Sequence, residues 1–154
     1  MTSRDPDQGD LLKICKSLNE HGAKYLVIGG MAMVFHGFNR GTEDIDLLVD
    51  KASSNIAILK QALSILPDNA IRDVLDSDVE KYEVVRVADE VVVDLMGSAC
   101  GINFKSAENQ IEWHEIDGVE IPFASAELML KTKQTLREKD EIDRLFLKRI
   151  LGKL

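Results

Sequence analysis

The stretch from Tyr25 to Asp50, YLVIGGMAMVFHGFNRGTEDIDLLVD, constrains this chain more than any other, because each of its two short apolar runs adjoins residues suited to chemistry. Tyr25-Leu26-Val27-Ile28 has the length of a strand and no polar interruption, so it reads as a strand buried on both faces. It runs into Gly29-Gly30, and Met31 to Phe35 then fits a short helix broken near Gly37. A strand, a glycine turn and a helix start bring backbone N–H groups together at a positive helix end. Glycine there permits the close approach of a phosphate. The second run, Ile45 to Val49, carries Asp44 and Asp46 at its head. Alternate residues of a strand share a face, so the two carboxylates stand side by side while Ile45 and Leu47 turn into a core. Adjacent carboxylates repel unless a positive charge lies between them. Magnesium is the obvious ion, since it takes oxygen ligands and is usually held by one or two carboxylates plus substrate phosphates.

A third acid stands out in Val91-Val92-Val93-Asp94-Leu95-Met96, an otherwise apolar strand. A carboxylate there is expensive unless it is paired, protonated or bound to metal. If that strand neighbours the one carrying Asp44 and Asp46, three carboxylates converge and could hold two metal ions about 4 Å apart, as in two-metal phosphoryl or nucleotidyl transfer. The bland alternative is that Gly29 and Gly30 make a tight turn and the aspartates solvate strand ends, which accounts poorly for Asp94.

The rest of the chain gives the frame. Residues 1–9 read as a loose tail, and Leu11, Leu12, Ile14, Cys15 and Leu18 recur at helical spacing up to a stop at Gly22. Ser53 and Ser54 can cap a helix running to about Leu66, closed by Pro67. Tyr82–Val87 and Glu90–Leu95 read as strands meeting at Ala88-Asp89. Ile111–Ile116 and Val119–Ile121 form a hairpin around the turn dipeptide Asp117-Gly118. Residues 125–151 read as helical, in one or two pieces. Without a repeat or linker, residues 1–154 are expected to form a single α/β (α+β) domain, a mixed β-sheet flanked by helices with a C-terminal helical tail.

Composition narrows the function. A formal net charge of -8 argues against broad duplex DNA binding, where basic side chains must replace counterions. It leaves room for a local basic pocket. The two cysteines, Cys15 and Cys100, suggest neither a disulfide scaffold nor zinc, and read as buried reduced thiols. The polar start MTSRDPDQGD has no apolar signal segment, and no run is long enough to span a bilayer, so a cytoplasmic location with no membrane contact is expected.

The apolar strand ending in Gly29-Gly30, the later Asp44-Ile45-Asp46-Leu47 and the isolated Asp94 together resemble the signature of the nucleotidyltransferase (polymerase-beta-like) superfamily. The string from Gly30 through Arg40-Gly41-Thr42-Glu43-Asp44 is similar to bacterial stand-alone members, among them abortive-infection toxin nucleotidyltransferases and, more distantly, aminoglycoside nucleotidyltransferases. The likeness runs from about Tyr25 to Leu147 and includes Arg137-Glu138-Lys139-Asp140 and Asp143 near the end. It implies a nucleotidyltransferase fold in which Gly29 and Gly30 cradle a nucleoside triphosphate. Asp44, Asp46 and Asp94 would be catalytic and would ligate Mg2+ or Mn2+, and Arg40 and Lys131 would contact phosphate. The implied reaction is transfer of a nucleoside monophosphate to an acceptor hydroxyl on a tRNA, a protein or a small molecule, within a toxin–antitoxin pair. A homodimer or an antitoxin partner would fit a chain this short, since many relatives carry an extra helical domain for the acceptor. Two alternatives stay open: a catalytically silent nucleotide-binding regulatory module of the same fold, and a structural protein that binds no nucleotide.

Weaker signals have plainer readings beside the functional ones. Arg40 could neutralise Asp44 or Asp46 or meet phosphate, and Lys131 could equally be a snorkelling surface lysine. The run Arg137, Lys139, Asp140, Asp143, Arg144 alternates in sign, as solvated helix faces do. His36 reads as a packing or capping residue, Trp113 as a cover for the core, and His114 as solvent-facing.

Overall fold

In the computed structural model, which describes residues 2–154, the two apolar runs become adjacent strands. Strand β1 (Tyr25–Ile28) pairs antiparallel with β2 (Asp44–Val49), and the helical turn α2 (Gly29–Phe35) connects them. All four residues of β1 are buried, since it lies between β2 and a later strand in the middle of the sheet. An unbroken apolar run is what such a position demands.

Ahead of these strands, α1 (Gln8–Glu20) buries Leu11, Ile14, Cys15 and Leu18, the face its spacing predicted. It begins two residues inside the expected tail because Asp7 and Asp10 form a reciprocal capping box. The residues before it are also tied down. Pro6 is buried, and the Arg4 guanidinium pairs with Asp10 at 2.7 Å and Glu90 at 3.1 Å. Met1, the first residue of that expected tail, lies outside the described residues.

After β2, α3 (Ser53–Leu63) stops short of Leu66, and neither serine caps it. Ala52 is the capping residue, held by a bond from its N–H to the Asp50 carboxylate at 2.9 Å. A short helix α4 (Asp78–Lys81) occupies the approach to the next strand. Strand β3 (Val85–Ala88) therefore starts later than expected, and it pairs antiparallel with β4 (Val92–Met96). A two-residue pair, β5 (Ser98–Ala99) and β6 (Ile102–Asn103), and the turn α5 (Phe104–Ala107) lead to the hairpin of β7 (Ile111–Ile116) and β8 (Val119–Ala124). The expected C-terminal helix is two pieces, α6 (Ala126–Thr132) and α7 (Glu138–Ile150), which pack on each other.

The six long strands form one mixed sheet in the order β3-β4-β2-β1-β8-β7, which meets the expected α/β architecture. Two expectations about single residues fail. Trp113 is 56% exposed rather than covering the core, because β7 is an edge strand and its partner β8 supplies the buried Ile121 and Phe123. Cys15 is buried, but Cys100 is exposed in a turn at φ +49°. Among the described residues, no helix is long and apolar enough to cross a membrane.

Candidate active site

Strand pairing builds the site. Strand β2 runs parallel to β4 with Asp46 directly opposite Asp94, and Asp44 lies two residues back on the same face. One carboxylate oxygen from each of Asp44, Asp46 and Asp94 comes within 4.8 Å of the others. Among the described residues no other three acidic, histidine or cysteine side chains converge in this way. Burial, then the neighbouring Asp44 and Asp94, push the Asp46 carboxyl up to about 8, and Lys133 opposes the shift. Such a cluster favours either a shared proton or a cation.

Gly29 is what lets Asp46 sit there. Its φ is +70°, and a Cβ on it would fall 2.0 Å from Asp46 Oδ2. A Cβ on Gly30 would come within 2.8 Å of Thr42 Cβ, so Gly30 lets the Arg40–Thr42 loop close over α2. Both glycines flank the acidic cluster, and Gly30 lines the cleft above it.

That cleft has a volume of about 460 Å³. The three carboxylates form one side, and Arg40, Arg86, Lys133, Arg137 and Lys139 also line it. In a chain of net charge -8, this is a local concentration of positive charge around a small acidic centre. A second hollow of about 500 Å³ continues the cleft past Val84, Met96 and Arg137 toward Ser98, Cys100 and Thr132.

The sequence-predicted cations divide. Arg40 lines the cleft, but its ion pair is with Asp143 at 3.0 Å, not with Asp44 or Asp46. Lys131 is exposed and does not line the cleft. The lysine that does is Lys133, 5% exposed, with Nζ 2.9 Å from Asp143 and 3.5 Å from Asp140. It follows the buried Met129 by four residues, so helical spacing puts it on the inward face while Lys131 turns outward. Asp140 and Asp143 share the buried face of α7 with Leu147, so that part of the alternating charge run is not a solvated face. For Asp140, burial works against ionisation. The bonds from Thr135 and Arg137 and the charge of Lys133 outweigh it and hold the carboxyl below its usual value.

Arg86 was not anticipated either. Hairpin register puts it opposite Asp94, two residues back from the Ala88–Val92 pair. Its Nε donates to Asp94 Oδ1 at 3.0 Å, and one terminal nitrogen donates to Asp94 Oδ2 at 2.9 Å and Asp44 Oδ2 at 3.2 Å. The bond to Asp94, then that residue's charge, hold the guanidinium above its ordinary value. His36, as expected, has a packing role: its Nε2 lies 2.7 Å from the Ala124 carbonyl, as donor to it.

Comparison with known proteins identifies a family and a shared fold. The family model described as nucleotidyl transferase AbiEii toxin, type IV toxin–antitoxin system, matches residues 10–133. No curated relative matches the sequence. Among solved structures, a protein of Thermotoga maritima provisionally called a nucleotidyltransferase superposes with a TM-score of 0.57 at 18% identity, covering 94% of this chain and 91% of that one. The lincosamide antibiotic adenylyltransferase LnuA, solved with lincomycin, superposes with a TM-score of 0.60 at 17% identity, covering 96% and 99%. At such identities the two structures speak for the fold alone.

Proposed function

We propose that this chain, which belongs to the AbiEii nucleotidyltransferase toxin family, transfers a nucleoside monophosphate from a nucleoside triphosphate to an acceptor hydroxyl, as the toxin half of a toxin–antitoxin pair. The observation that carries this reading is the convergence of Asp44, Asp46 and Asp94 within 4.8 Å, inside a cleft whose other charged lining residues are all cations. An all-oxygen donor set of three carboxylates fits Mg2+ or Mn2+ better than a softer metal. Asp44, Asp46 and Asp94 would hold such an ion, and bound there it would supply charge neutralisation to the phosphates.

The chain's own groups divide the remaining work. Lys133, Arg137 and Lys139 offer the triphosphate a cationic wall, with Gly30 leaving room beside them. Arg40, held by Asp143, braces the loop that closes over Gly30. The acceptor oxygen forms a new bond to the α-phosphorus, and the bond from that phosphorus to the leaving pyrophosphate breaks. Asp94 takes the proton from the hydroxyl. The adjoining hollow past Val84 and Met96 has the volume for a nucleoside or for the end of the acceptor. Fixed charges aimed at the reacting phosphoryl group provide most of the acceleration in such chemistry.

The test uses each of the four triphosphates labelled at the α-phosphate, with Mg2+ or Mn2+, offered with total tRNA, cell protein or a panel of small hydroxyl compounds. Label should move to one acceptor class, and Asp46→Asn should abolish the transfer. Metal-dependent nucleotide binding with no transfer to any acceptor would favour the silent nucleotide-binding module instead.

A further inference from the structure

The carboxylate cluster contains a cation of its own. Arg86 engages both oxygens of Asp94 and one of Asp44 at 2.9 to 3.2 Å, in the forked geometry that makes guanidinium–carboxylate pairs strong. A divalent ion held by Asp44, Asp46 and Asp94 needs oxygens from the same carboxylates. Each oxygen on the fork already gives a lone pair to a guanidinium donor, and the Arg86 charge beside it opposes a second cation, so a divalent ion entering the cluster works against Arg86.

The geometry also allows Arg86 to leave. It sits on β3, an edge strand, and its side chain is 60% exposed, so little packing pins it in place. Arg86 also borders a hollow of about 210 Å³ that it shares with Arg4, Asp5, Glu43 and Asp44. Arg4, the other cation of that hollow, is already paired with Asp10 and Glu90. A guanidinium released from Asp94 would meet carboxylates there as well, which lowers the penalty of departure.

We propose that Arg86 is a displaceable counter-ion of the carboxylate cluster, holding Asp44 and Asp94 together and competing with the divalent cation for the same oxygens. The inference rests on reading Asp44, Asp46 and Asp94 as the metal-holding residues. It makes metal affinity a property tuned by one side chain outside that trio.

Manganese binding to the full chain without nucleotide, followed by electron paramagnetic resonance, separates the possibilities. Arg86→Gln should bind Mn2+ about tenfold more tightly than the wild type, the release of a charge-assisted pair that is partly exposed. Arg86→Lys, which keeps the charge and loses the fork, should fall between the two. In urea titrations Arg86→Gln should be the less stable protein without divalent ions, and saturating Mn2+ should remove the difference. A merely structural arginine would lower stability and metal affinity together. Equal or weaker Mn2+ binding by an Arg86→Gln protein with a native near-ultraviolet dichroism spectrum overturns the competition. If neither protein binds Mn2+, the metal-holding role of the three carboxylates falls, and the competition falls with it.

Discussion

Lys133 is the side chain whose removal should reveal most about how the site is held. It lies between two carboxylates that are each 1% exposed, at 2.9 Å from Asp143 and 3.5 Å from Asp140. Removing one partner from a buried ion pair typically costs about 3–5 kcal/mol, because the remaining charge is left in low dielectric. Here other cations remain, Arg40 on Asp143 and Arg137 on Asp140, so the low end applies. Asp143 Oδ1 lacks a hydrogen-bond partner, and Asp140 Oδ1 has none beyond the Lys133 ammonium 3.5 Å away, so little is available to make up the loss. Lys133→Met, which keeps the aliphatic stem, should therefore lose about 3 kcal/mol in urea denaturation. For a chain of this size that corresponds to a fall of roughly 6–12 °C in Tm. Lys131→Met, at an exposed position in the same helix turn, should change stability by less than about 0.5 kcal/mol. Restoring neutrality with Asp143→Asn in the Lys133→Met background should recover part of the loss. A loss under about 1 kcal/mol for Lys133→Met would refute the reasoning, since it would mean that solvent reaches and screens the Asp140–Asp143 pair.

Four further outcomes follow from the structure. Gly29→Ala adds a left-handed backbone penalty of about 1–2 kcal/mol to a Cβ placed 2.0 Å from Asp46 Oδ2, so calorimetry should find metal-dependent nucleotide binding lost. Gly22→Ala, with φ +74° and nothing within 4 Å of its Cβ, should carry the backbone penalty and keep binding. Burial pushes the Cys15 thiol up to about 12 while Cys100 is exposed, so Ellman's reagent at pH 8 should titrate one thiol in the native protein and two in denaturant. Asp140 is held below its usual range, so its stabilisation is present above the unfolded carboxyl pKa near 4 and is lost as pH falls through the lower folded value. Asp140→Asn should therefore flatten the acid limb of a stability–pH curve measured by urea titration.

The central parts of this site were legible in the sequence because they follow short-range rules. The two-residue repeat of a strand put Asp44 and Asp46 on one face, and an acid in an apolar strand marked Asp94. The parallel pairing that brings Asp46 opposite Asp94 joins segments far apart in the chain, so the sequence could only raise it as a condition. Arg86 was within reach, since counting back from the Ala88-Asp89 turn pairs it with Asp94 once the hairpin register is known. Lys133 was passed over for Lys131, although the four-residue step from Met129 marks the inward face. Asp140 and Asp143 were hidden by their own composition. An alternating charge run looks like a solvated surface until a buried lysine and an arginine from a distant loop are found against it. The α4 turn and the β5–β6 pair span too few residues to show any period, and edge position, which exposes Trp113, is set by the whole sheet.

The most direct test of the account is a calorimetric titration of ATP, GTP, CTP and UTP in the presence of Mg2+, on the wild type and on Asp44→Ala/Asp46→Ala. Binding of at least one triphosphate by the wild type, lost in the double variant while its fold is retained, is the predicted result and would also name the base. No binding of any triphosphate by the wild type, with Mn2+ tried in place of Mg2+, would contradict the claim that these carboxylates are the centre of a nucleotidyl-transfer site.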